Sequence, residues 1–270
     1  MSAAEEGFGV AADRIITLLT DFGARDWFVG SMKGVILSRE PRAKLVDITH
    51  EIAPGNVREG AFVLMNAWRW FPPGTLHLVV VDPGVGTSRP IIAARGAGHL
   101  FLGPDNGVLS WALEGISNPE VRRLDPGFAP PSAAPTFHGR DIFAPAAAAL
   151  IGAGAFETCG PPSAPAERLD FPVPSRSGSE WTVEVLHIDR FGNVVTSFPA
   201  ERLGELGPSP AVEGIPVPVR ESYGFGEEGE LMAVAGSAGF LELAVRGGSA
   251  RDRLGTAPGA RLVLSGPRRA

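Results

Sequence analysis

Several acidic, amide and imidazole side chains stand beside glycines, just after short apolar runs. Carboxylates and imidazoles accept protons, and carboxylates also bind hydroxyl and ammonium groups, so these residues could carry acid–base chemistry or hold a polar ligand. Each one alone could be a turn residue, because Asp and Asn form turns readily. Five such loops in one chain favour a ligand site. The residues are Asp21, Asp47, Thr49, His50, Asp82, Asp105, Asn106 and His138.

The usual sequence motifs of metal, phosphate and nucleophile sites do not occur. The segment 82–89 (DPGVGTSR) lacks the Lys-Ser/Thr ending of a phosphate-binding loop, and no GxGxxG follows the first apolar run. The five histidines show neither HExxH nor HxxxH spacing, and there is no GxSxG. We therefore predict chemistry without a metal, a dinucleotide or a serine nucleophile.

The elements that must position these residues alternate between strand and helix in the first half of the chain. Apolar runs predict strands, and apolar spacing of three and four residues predicts helices. A strand–helix–strand–helix–strand order indicates a mostly parallel sheet, whose strand ends form a common ligand-binding edge. The predicted strands are 15–19, 43–48, 76–81, 91–94 and 99–102, and the predicted helices are 27–38, 57–71 and 141–152.

The pattern changes after a proline-rich segment. Residues 160–179 contain five prolines and little periodicity, which is typical of a linker. Short strands separated by glycine-rich turns follow, and they indicate a small barrel or sandwich with no helix beyond a turn near 200–206. We predict an N-terminal α/β domain over 14–165 and a C-terminal small β-barrel domain over 166–270. The later strands are predicted at 181–189, 193–198, 215–219, 230–235, 239–244 and 261–264.

Composition and charge exclude some partners. The net charge of −6 disfavours nucleic acid and anionic membranes, and no apolar run reaches the roughly 20 residues of a membrane span. The single cysteine, Cys159, excludes an intramolecular disulfide. Residues 1–13 lack the basic start and apolar block of a signal peptide and are predicted to be an acidic tail. We predict a soluble, cytoplasmic protein.

Seven segments occur in a characteristic order. They are LLTDFG (18–23), WFVGSMKGVIL (27–37), VDITHEI (46–52), FPPGTLHLVVVDPGVGTSR (71–89), GPDNGVLS (103–110), TFHGRDIFAPAAA (136–148) and IDRFGNVVTS (188–197). From about residue 14 to 265 the chain resembles the S-adenosyl-L-methionine hydrolases that form adenosine, also called SAM hydroxide adenosyltransferases, which are similar to fluorinase and chlorinase. The resemblance implies cleavage of S-adenosyl-L-methionine by water at ribose C5′, an α/β domain followed by a β-barrel, and a homotrimer with active sites between subunits. It implies no cofactor, since S-adenosyl-L-methionine is the substrate.

The resemblance also assigns roles to individual residues. Asp82, Arg89 and His138 match the set that activates water, without saying which group accepts the proton. Asp21 matches the residue that accepts hydrogen bonds from both ribose hydroxyls. The other substrate-binding positions are Asn106 and Gly139, Asp189 at the methionine amino group, Asn193 and Phe191 at adenine, Ser237 at the methionine end, and Gly247 through its backbone to adenine.

Three positions separate the hydrolases from the halogenases. Fluorinase has Tyr, Thr and Ser where this chain has Asp82, Val85 and Gly139. A carboxylate in the nucleophile pocket repels an anion, so water is the expected nucleophile rather than a halide. A halogenase and a binding protein without turnover stay as alternatives. Phe28 departs from the family, which often has Tyr there, and this difference predicts weaker methionine binding.

Overall fold

The computed structural model describes residues 14–207 and 210–266. The chain divides into two compact units, and the division falls between Asp170 and Phe171. The first unit contains two hydrophobic core clusters, and the second unit has a core of its own. The predicted acidic tail, residues 1–13, lies outside the described residues.

The first unit is built on a six-stranded sheet that is mostly parallel, as the strand–helix alternation predicts. The spatial order is β2-β1-β3-β5-β4-β6. β1 pairs in parallel with β2 and β3, and β3 pairs in parallel with β5, whereas β4 is antiparallel to β5 and β6. The strands are β1 (Ile15–Thr20), β2 (Lys44–Thr49), β3 (Leu76–Val80), β4 (Ile91–Gly96), β5 (His99–Pro104) and β6 (Glu120–Arg123).

Helices cover both faces of this sheet. Within residues 14–170 the α-helices are α1 (Phe28–Arg39), α2 (Val57–Ala67), α3 (Ser110–Glu114) and α4 (Ala144–Gly152). α1 and α4 contribute to one core with Ile16 and Leu18, and α2 and α3 contribute to the other with Leu19. All five residues of β3 are therefore buried, which explains its unbroken apolar sequence. With both faces covered, the carboxyl ends of β1, β2 and β3 form the edge at which a ligand can enter.

The second unit is an eight-stranded antiparallel sheet that curls into a half-barrel. Its main path is β11-β10-β14-β8-β9-β13-β12, and β7 pairs with β8. Register shifts in β8 and β13 accompany the bending, as bulges do in barrels. The strands are β7 (Ser175–Ser177), β8 (Glu180–Ile188), β9 (Val194–Pro199), β10 (Ala211–Val212), β11 (Ile215–Pro216), β12 (Leu231–Ala235), β13 (Phe240–Val245) and β14 (Arg261–Ser265).

The second unit also contains a helix that the sequence pattern did not predict. Helix α5 (Ala250–Leu254) is five residues long and carries three charged side chains, so it has no apolar stripe to reveal it. Its N-terminus is capped by Ser249, whose hydroxyl accepts from Asp252 N at 3.1 Å. The described part of the chain has no helix that is long and apolar enough to cross a membrane.

The segment after the predicted boundary at 165 is fastened to the first unit. Ala166 N donates to both carboxylate oxygens of Asp105, at 3.1 and 2.9 Å. Leu169 N donates to Ser110 Oγ at 3.1 Å, and Leu169 O accepts from Trp111 Nε1 at 2.9 Å. These bonds hold a proline-rich stretch that lacks periodicity, so composition alone does not place it with either unit.

Candidate active site

The loop after β1 presents Asp21 at the carboxyl edge of the sheet. Asp21 Oδ2 accepts from Gly55 N at 2.7 Å, and Gly23 N donates to His50 O at 2.7 Å. Gly55 in turn lies against the loop after β3, because a Cβ on Gly55 would stand 3.6 Å from Pro83 Cβ. The half-buried carboxylate of Asp21 is therefore held close to the loop that begins at Asp82. Each carboxylate oxygen can accept two hydrogen bonds, so Asp21 keeps acceptor capacity for ligand hydroxyls.

The loop after β3 folds back to join Asp82 with Arg89. Arg89 Nε donates to Asp82 Oδ1 at 2.8 Å and to Oδ2 at 2.9 Å, and Nη2 also donates to Oδ2. The two side chains are only 4% and 12% exposed, so the ion pair is largely desolvated. The reversal requires Gly86, whose φ is +80° and whose Cβ would stand 2.7 Å from Pro135 O. Fork-like pairing of this kind fixes the guanidinium in one orientation.

His138 completes this cluster from a segment 49 residues further along the chain. Its Nδ1 lies 3.1 Å from Arg89 Nη2. A guanidinium has donors and no acceptor, so Nδ1 accepts and the neutral ring carries its proton on Nε2. Burial lowers the pKa of His138, and the charge of Arg89 lowers it further, against the opposing effect of Asp82 and Asp141. The imidazole is thus kept neutral around pH 7. The Arg89 guanidinium also lies over the Phe143 ring, 5.4 Å from its centroid.

Gly139 opens a π-helical turn (Gly139–Phe143) just before α4. It is buried, and a Cβ there would stand 3.1 Å from Met32 Sδ, 3.2 Å from Phe22 Cε2 and 3.3 Å from Phe137 Cε2. Phe28, which departs from the family pattern, packs its ring 5.9 Å from that of Phe22 and 5.1 Å from that of Phe137. An apolar aromatic wall therefore adjoins His138. Room for a side chain at position 139 exists only if that wall moves.

Asn106 uses both ends of its amide to brace the sheet edge. Nδ2 donates to Val81 O at 2.9 Å, and Oδ1 accepts from Val108 N at 3.1 Å. The amide thereby ties the loop after β5 to the residue that precedes Asp82. Its evident contacts are with the protein backbone, so any contact with a ligand would use the remaining hydrogen and lone pair.

The other predicted binding residues belong to the second unit. Asp189 Oδ1 accepts from Phe191 N at 2.8 Å and Asn193 N at 2.9 Å, and Oδ2 accepts from Asn193 Nδ2 at 2.9 Å. These donors stabilise the carboxylate charge. The Phe191 ring is 76% exposed and so takes no part in the core. Ser237 and Gly247 are exposed in the turns that follow β12 and β13.

Sequence reasoning overlooked a carboxylate close to Asp189. Glu242 in β13 is 6% exposed, and Tyr223 Oη donates to its Oε1. Burial raises the pKa of Glu242, the Tyr223 hydrogen bond opposes that rise, and the nearby charge of Asp189 adds to it. Residues 241–244 of FLELAV (240–245) are all buried, whereas simple alternation with Leu241 and Leu243 would place Glu242 on the solvent side.

No group of three or more His, Cys, Asp or Glu side chains is arranged to hold a metal ion in residues 14–207 and 210–266. The clustered groups of the first unit are instead one ion pair, one imidazole and the separate carboxylate of Asp21. Such a set can bind hydroxyl groups and orient a water molecule.

Two family models match the chain, one in each unit. Residues 16–160 match the family model described as SAM hydroxide adenosyltransferase N-terminal domain, and residues 183–263 match the corresponding C-terminal domain. The chain is 39% identical to an (R)-S-adenosyl-L-methionine hydrolase of Salinispora tropica (93% of this chain, 97% of that protein) and 41% identical to one of Thermus thermophilus (91% and 97%).

More distant similarity extends to proteins named fluorinase. A fluorinase of Nocardia brasiliensis is 28% identical over 85% of this chain and 89% of that protein. Among solved structures, an uncharacterized conserved protein from Thermotoga maritima superposes with a TM-score of 0.86 at 37% identity, over 93% of this chain and 99% of that one.

Proposed function

The chain belongs to the SAM hydroxide adenosyltransferase family, and we propose that it hydrolyses S-adenosyl-L-methionine at ribose C5′ to adenosine and L-methionine. The observation that carries the proposal is the direct link of Asp82, Arg89 and His138 through Arg89 Nη2. The relatives at 39% and 41% identity are named for the (R) form of S-adenosyl-L-methionine, so we take the (R) sulfonium epimer as the substrate.

Asp21 binds the ribose in this proposal. Two adjacent hydroxyls match the two oxygens of a carboxylate, and hydrogen bonds to a charged acceptor are stronger than those between neutral groups. The bond from Gly55 N to Oδ2 fixes the carboxylate before the substrate arrives. Binding of the ribose then fixes the position of C5′ relative to the water-activating group. Holding the two reacting atoms in line in this way lowers the barrier to the reaction.

Water is oriented and deprotonated by Asp82, Arg89 and His138. Bulk water has a pKa of about 15.7 and is a weak nucleophile near pH 7. Neutral His138 has its Nδ1 occupied by Arg89, so its Nε2–H donates to a lone pair of the water and orients it. Asp82 is the carboxylate of this set, and it accepts the proton as the oxygen–carbon bond forms. The charge of Arg89 stabilises the negative charge that develops on the attacking oxygen.

The bond that breaks is the one between C5′ and the sulfonium sulfur. Its electron pair returns to sulfur, which leaves as the neutral thioether of methionine, so this departure requires no general acid. One proton from the attacking water passes to Asp82 and then to solvent. The proposed reaction uses water as the only reactant besides S-adenosyl-L-methionine.

Halide is disfavoured as the nucleophile at this site. Asp82 places a nearly buried negative charge beside Arg89, where an incoming anion would need positive charge. The hydroxyls that the related fluorinase has at the positions of Val85 and Gly139 are replaced by an apolar side chain and by hydrogen. A halogenase is therefore the weaker candidate.

The decisive experiment offers the purified protein S-adenosyl-L-methionine as the pure (S) epimer and as a mixture of both sulfonium epimers, and separates the products by chromatography. Adenosine and methionine formed from the mixture, with loss of the (R) epimer, support the proposal. Chloride- or fluoride-dependent formation of a 5′-halo-5′-deoxyadenosine would identify a halogenase. Tight binding of adenosine without any product would identify a binding protein.

We further propose a homotrimer with active sites at subunit interfaces and a cytoplasmic location. The exposure of Phe191, Ser237 and Gly247 supports the first, since these predicted ligand contacts are open for contact beyond their own unit. The single cysteine is buried and unpaired, which suits a reducing compartment. Light scattering coupled to size exclusion tests the trimer, and a monomer with full activity would overturn it.

A further inference from the structure

A chain of four polar side chains runs from α1 to the loop that carries Asp21. Lys33 Nζ donates to Asp47 Oδ2 at 2.6 Å. Asp47 Oδ1 lies 3.0 Å from His50 Nε2, although the two atoms do not form a well-aligned hydrogen bond. His50 Nδ1 lies 2.9 Å from Thr20 Oγ1. None of these four side chains belongs to the water-activating set of Asp82, Arg89 and His138, so that set does not account for their arrangement.

The direction of the hydrogen bonds follows from the charges. The Asp47 carboxylate favours a proton on the nearer nitrogen of His50, which is Nε2. His50 Nδ1 is then an acceptor, and the Thr20 hydroxyl donates to it. Thr20 Oγ1 itself accepts from Phe22 N at 3.3 Å. Each group thus fixes the next one along the chain.

The series of polar side chains reaches the backbone on both sides of Asp21. Thr20 immediately precedes Asp21, and Phe22 immediately follows it, and the Thr20 hydroxyl binds both His50 and the backbone of Phe22. His50 also accepts from Gly23 N through its carbonyl oxygen at 2.7 Å. The β1–β2 register shifts between Leu18 and Leu19, just before this contact. His50 therefore holds the Asp21 loop through its side chain and through its backbone.

Burial makes this arrangement rigid. Thr20 is 0% exposed and His50 is 8% exposed, so water does not readily replace their mutual hydrogen bond. Burial alone would raise the pKa of Asp47, but the hydrogen bond from Lys33 and the proximity of His50 outweigh it and lower that pKa. The carboxylate is accordingly charged at neutral pH, and it anchors His50 from the solvent side.

We propose that His50 is a positioning residue that orients the Asp21 carboxylate toward the two ribose hydroxyls. The inference rests on the proposed function for the identity of the ligand. A carboxylate that is displaced by a fraction of an ångström loses its paired contact with two adjacent hydroxyls while the rest of the nucleoside site is unaffected. The consequence is selective: adenosine should lose affinity, and a nucleoside without these hydroxyls should not.

The test measures the dissociation constants of adenosine and 2′,3′-dideoxyadenosine by calorimetry. The wild-type protein should prefer adenosine on the order of tenfold or more, as expected for charged hydrogen bonds. His50→Gln, whose amide reaches toward Asp47 and not Thr20, should remove most of that preference. His50→Asn places an amide atom near the position of Nδ1 and should restore it. Thr20→Val should behave like His50→Gln, and the double variant should lose no more than either single one.

A matched control separates positioning from general destabilisation. Ile36→Val shortens a fully buried side chain of α1 that lies outside the series of polar side chains from Lys33 to Thr20. It should lower the melting temperature and leave the preference for adenosine unchanged. Equal weakening of both nucleosides in His50→Gln, or an unchanged preference in that variant, would overturn the proposal. The preference for adenosine over 2′,3′-dideoxyadenosine is measured without turnover. A protein that binds adenosine but hydrolyses nothing would therefore refute the proposed function, while the positioning role of His50 could still be tested.

Discussion

Arg89 Nη2 donates to His138 Nδ1 over 3.1 Å, and this bond determines which nitrogen of the imidazole carries the proton. Because Nδ1 is an acceptor, the neutral ring presents Nε2–H to its surroundings. In the proposed mechanism, His138 therefore orients the attacking water as a hydrogen-bond donor, and Asp82 accepts the proton. The assignment yields different expectations for the two residues.

Replacing Asp82 by Asn should abolish most of the hydrolysis. The amide accepts no proton and pairs poorly with Arg89, so the rate of adenosine formation should fall by about 10²–10⁴-fold, the usual contribution of general acid–base catalysis. Adenosine affinity should change little, because the proposed mechanism assigns ribose binding to Asp21. Product chromatography and calorimetry measure the two quantities. An Asp82→Asn variant with wild-type turnover would remove the proton acceptor from the mechanism.

The acid limb of the pH profile should report His138. Protonation would place a hydrogen on Nδ1 and break its bond with Arg89, so activity should be lost as the pH falls through the pKa of His138 in the folded protein. That pKa lies below 6.5, because burial and Arg89 both lower it. kcat/KM measured between pH 4 and 8 on the (R) epimer locates this limb.

Asp141→Asn provides a matched test of that assignment. The Asp141 charge raises the pKa of His138, so its removal should move the acid limb to lower pH. Asn retains an acceptor for Ala134 N, which Asp141 Oδ2 binds at 2.8 Å, so the local backbone should be preserved. If the acid limb of the kcat/KM profile instead moves to higher pH in Asp141→Asn, the limb reports a group other than His138.

Gly139→Ser should impair the enzyme without converting it into a halogenase. The new side chain meets Met32, Phe22 and Phe137 at 3.1 to 3.3 Å, so the aromatic wall must shift by a few tenths of an ångström. We expect a lower melting temperature and a several-fold lower rate of adenosine formation. With Asp82 in place, chloride should yield no chlorinated nucleoside, and detection of that product would show that Asp82 does not exclude anions.

The sheet could be predicted from the sequence, and so could the polar residues at the carboxyl ends of its strands, whereas the contacts between particular side chains could not. Apolar runs identified β1 and β3, and polar residues after them marked the edge. The contact of Arg89 with His138 spans 49 positions, and no local pattern encodes it; only the family resemblance paired them. Helix α5 lacks an apolar stripe, and Glu242 was hidden because a buried carboxylate breaks the usual alternation.

The buried histidines should make the protein sensitive to acid. His77 is fully buried between Thr17 and His99, and burial together with His99 lowers its pKa to about 3. The unfolded chain therefore binds the extra proton between pH 6.5 and 3, and stability falls as the pH drops through that window, by up to about 1.4 kcal/mol per pH unit for one group. Urea unfolding at pH 7, 6 and 5 should show a shallower decline in His77→Gln than in the wild type. Parallel declines would assign the acid sensitivity elsewhere.

Glu242 should have the opposite dependence on pH. Its pKa is raised in the folded protein, chiefly by burial, so the folded state binds more protons than the unfolded state above pH 4.5. Its contribution to stability is consequently lost as the pH rises through the raised pKa. Glu242→Gln has a neutral side chain at every pH and should remove this part of the dependence of stability on pH. Compared with the wild type, the variant should therefore be more favoured at pH 7 than at pH 4.5.

Tyr223→Phe tests the cause of that shift. The Tyr223 hydroxyl donates to Glu242 Oε1 and opposes the rise in pKa, so its loss should raise the pKa of Glu242 further and steepen the decline of stability with increasing pH. Asp189 contributes in the other direction, because its negative charge raises the same pKa. Melting temperatures should therefore be recorded from pH 4.5 to 8 for the wild type and both variants. Relative to the wild-type curve, Glu242→Gln should decline less with rising pH and Tyr223→Phe should decline more. If the Tyr223→Phe curve instead flattens toward that of Glu242→Gln, the hydroxyl does not stabilise the charged carboxylate.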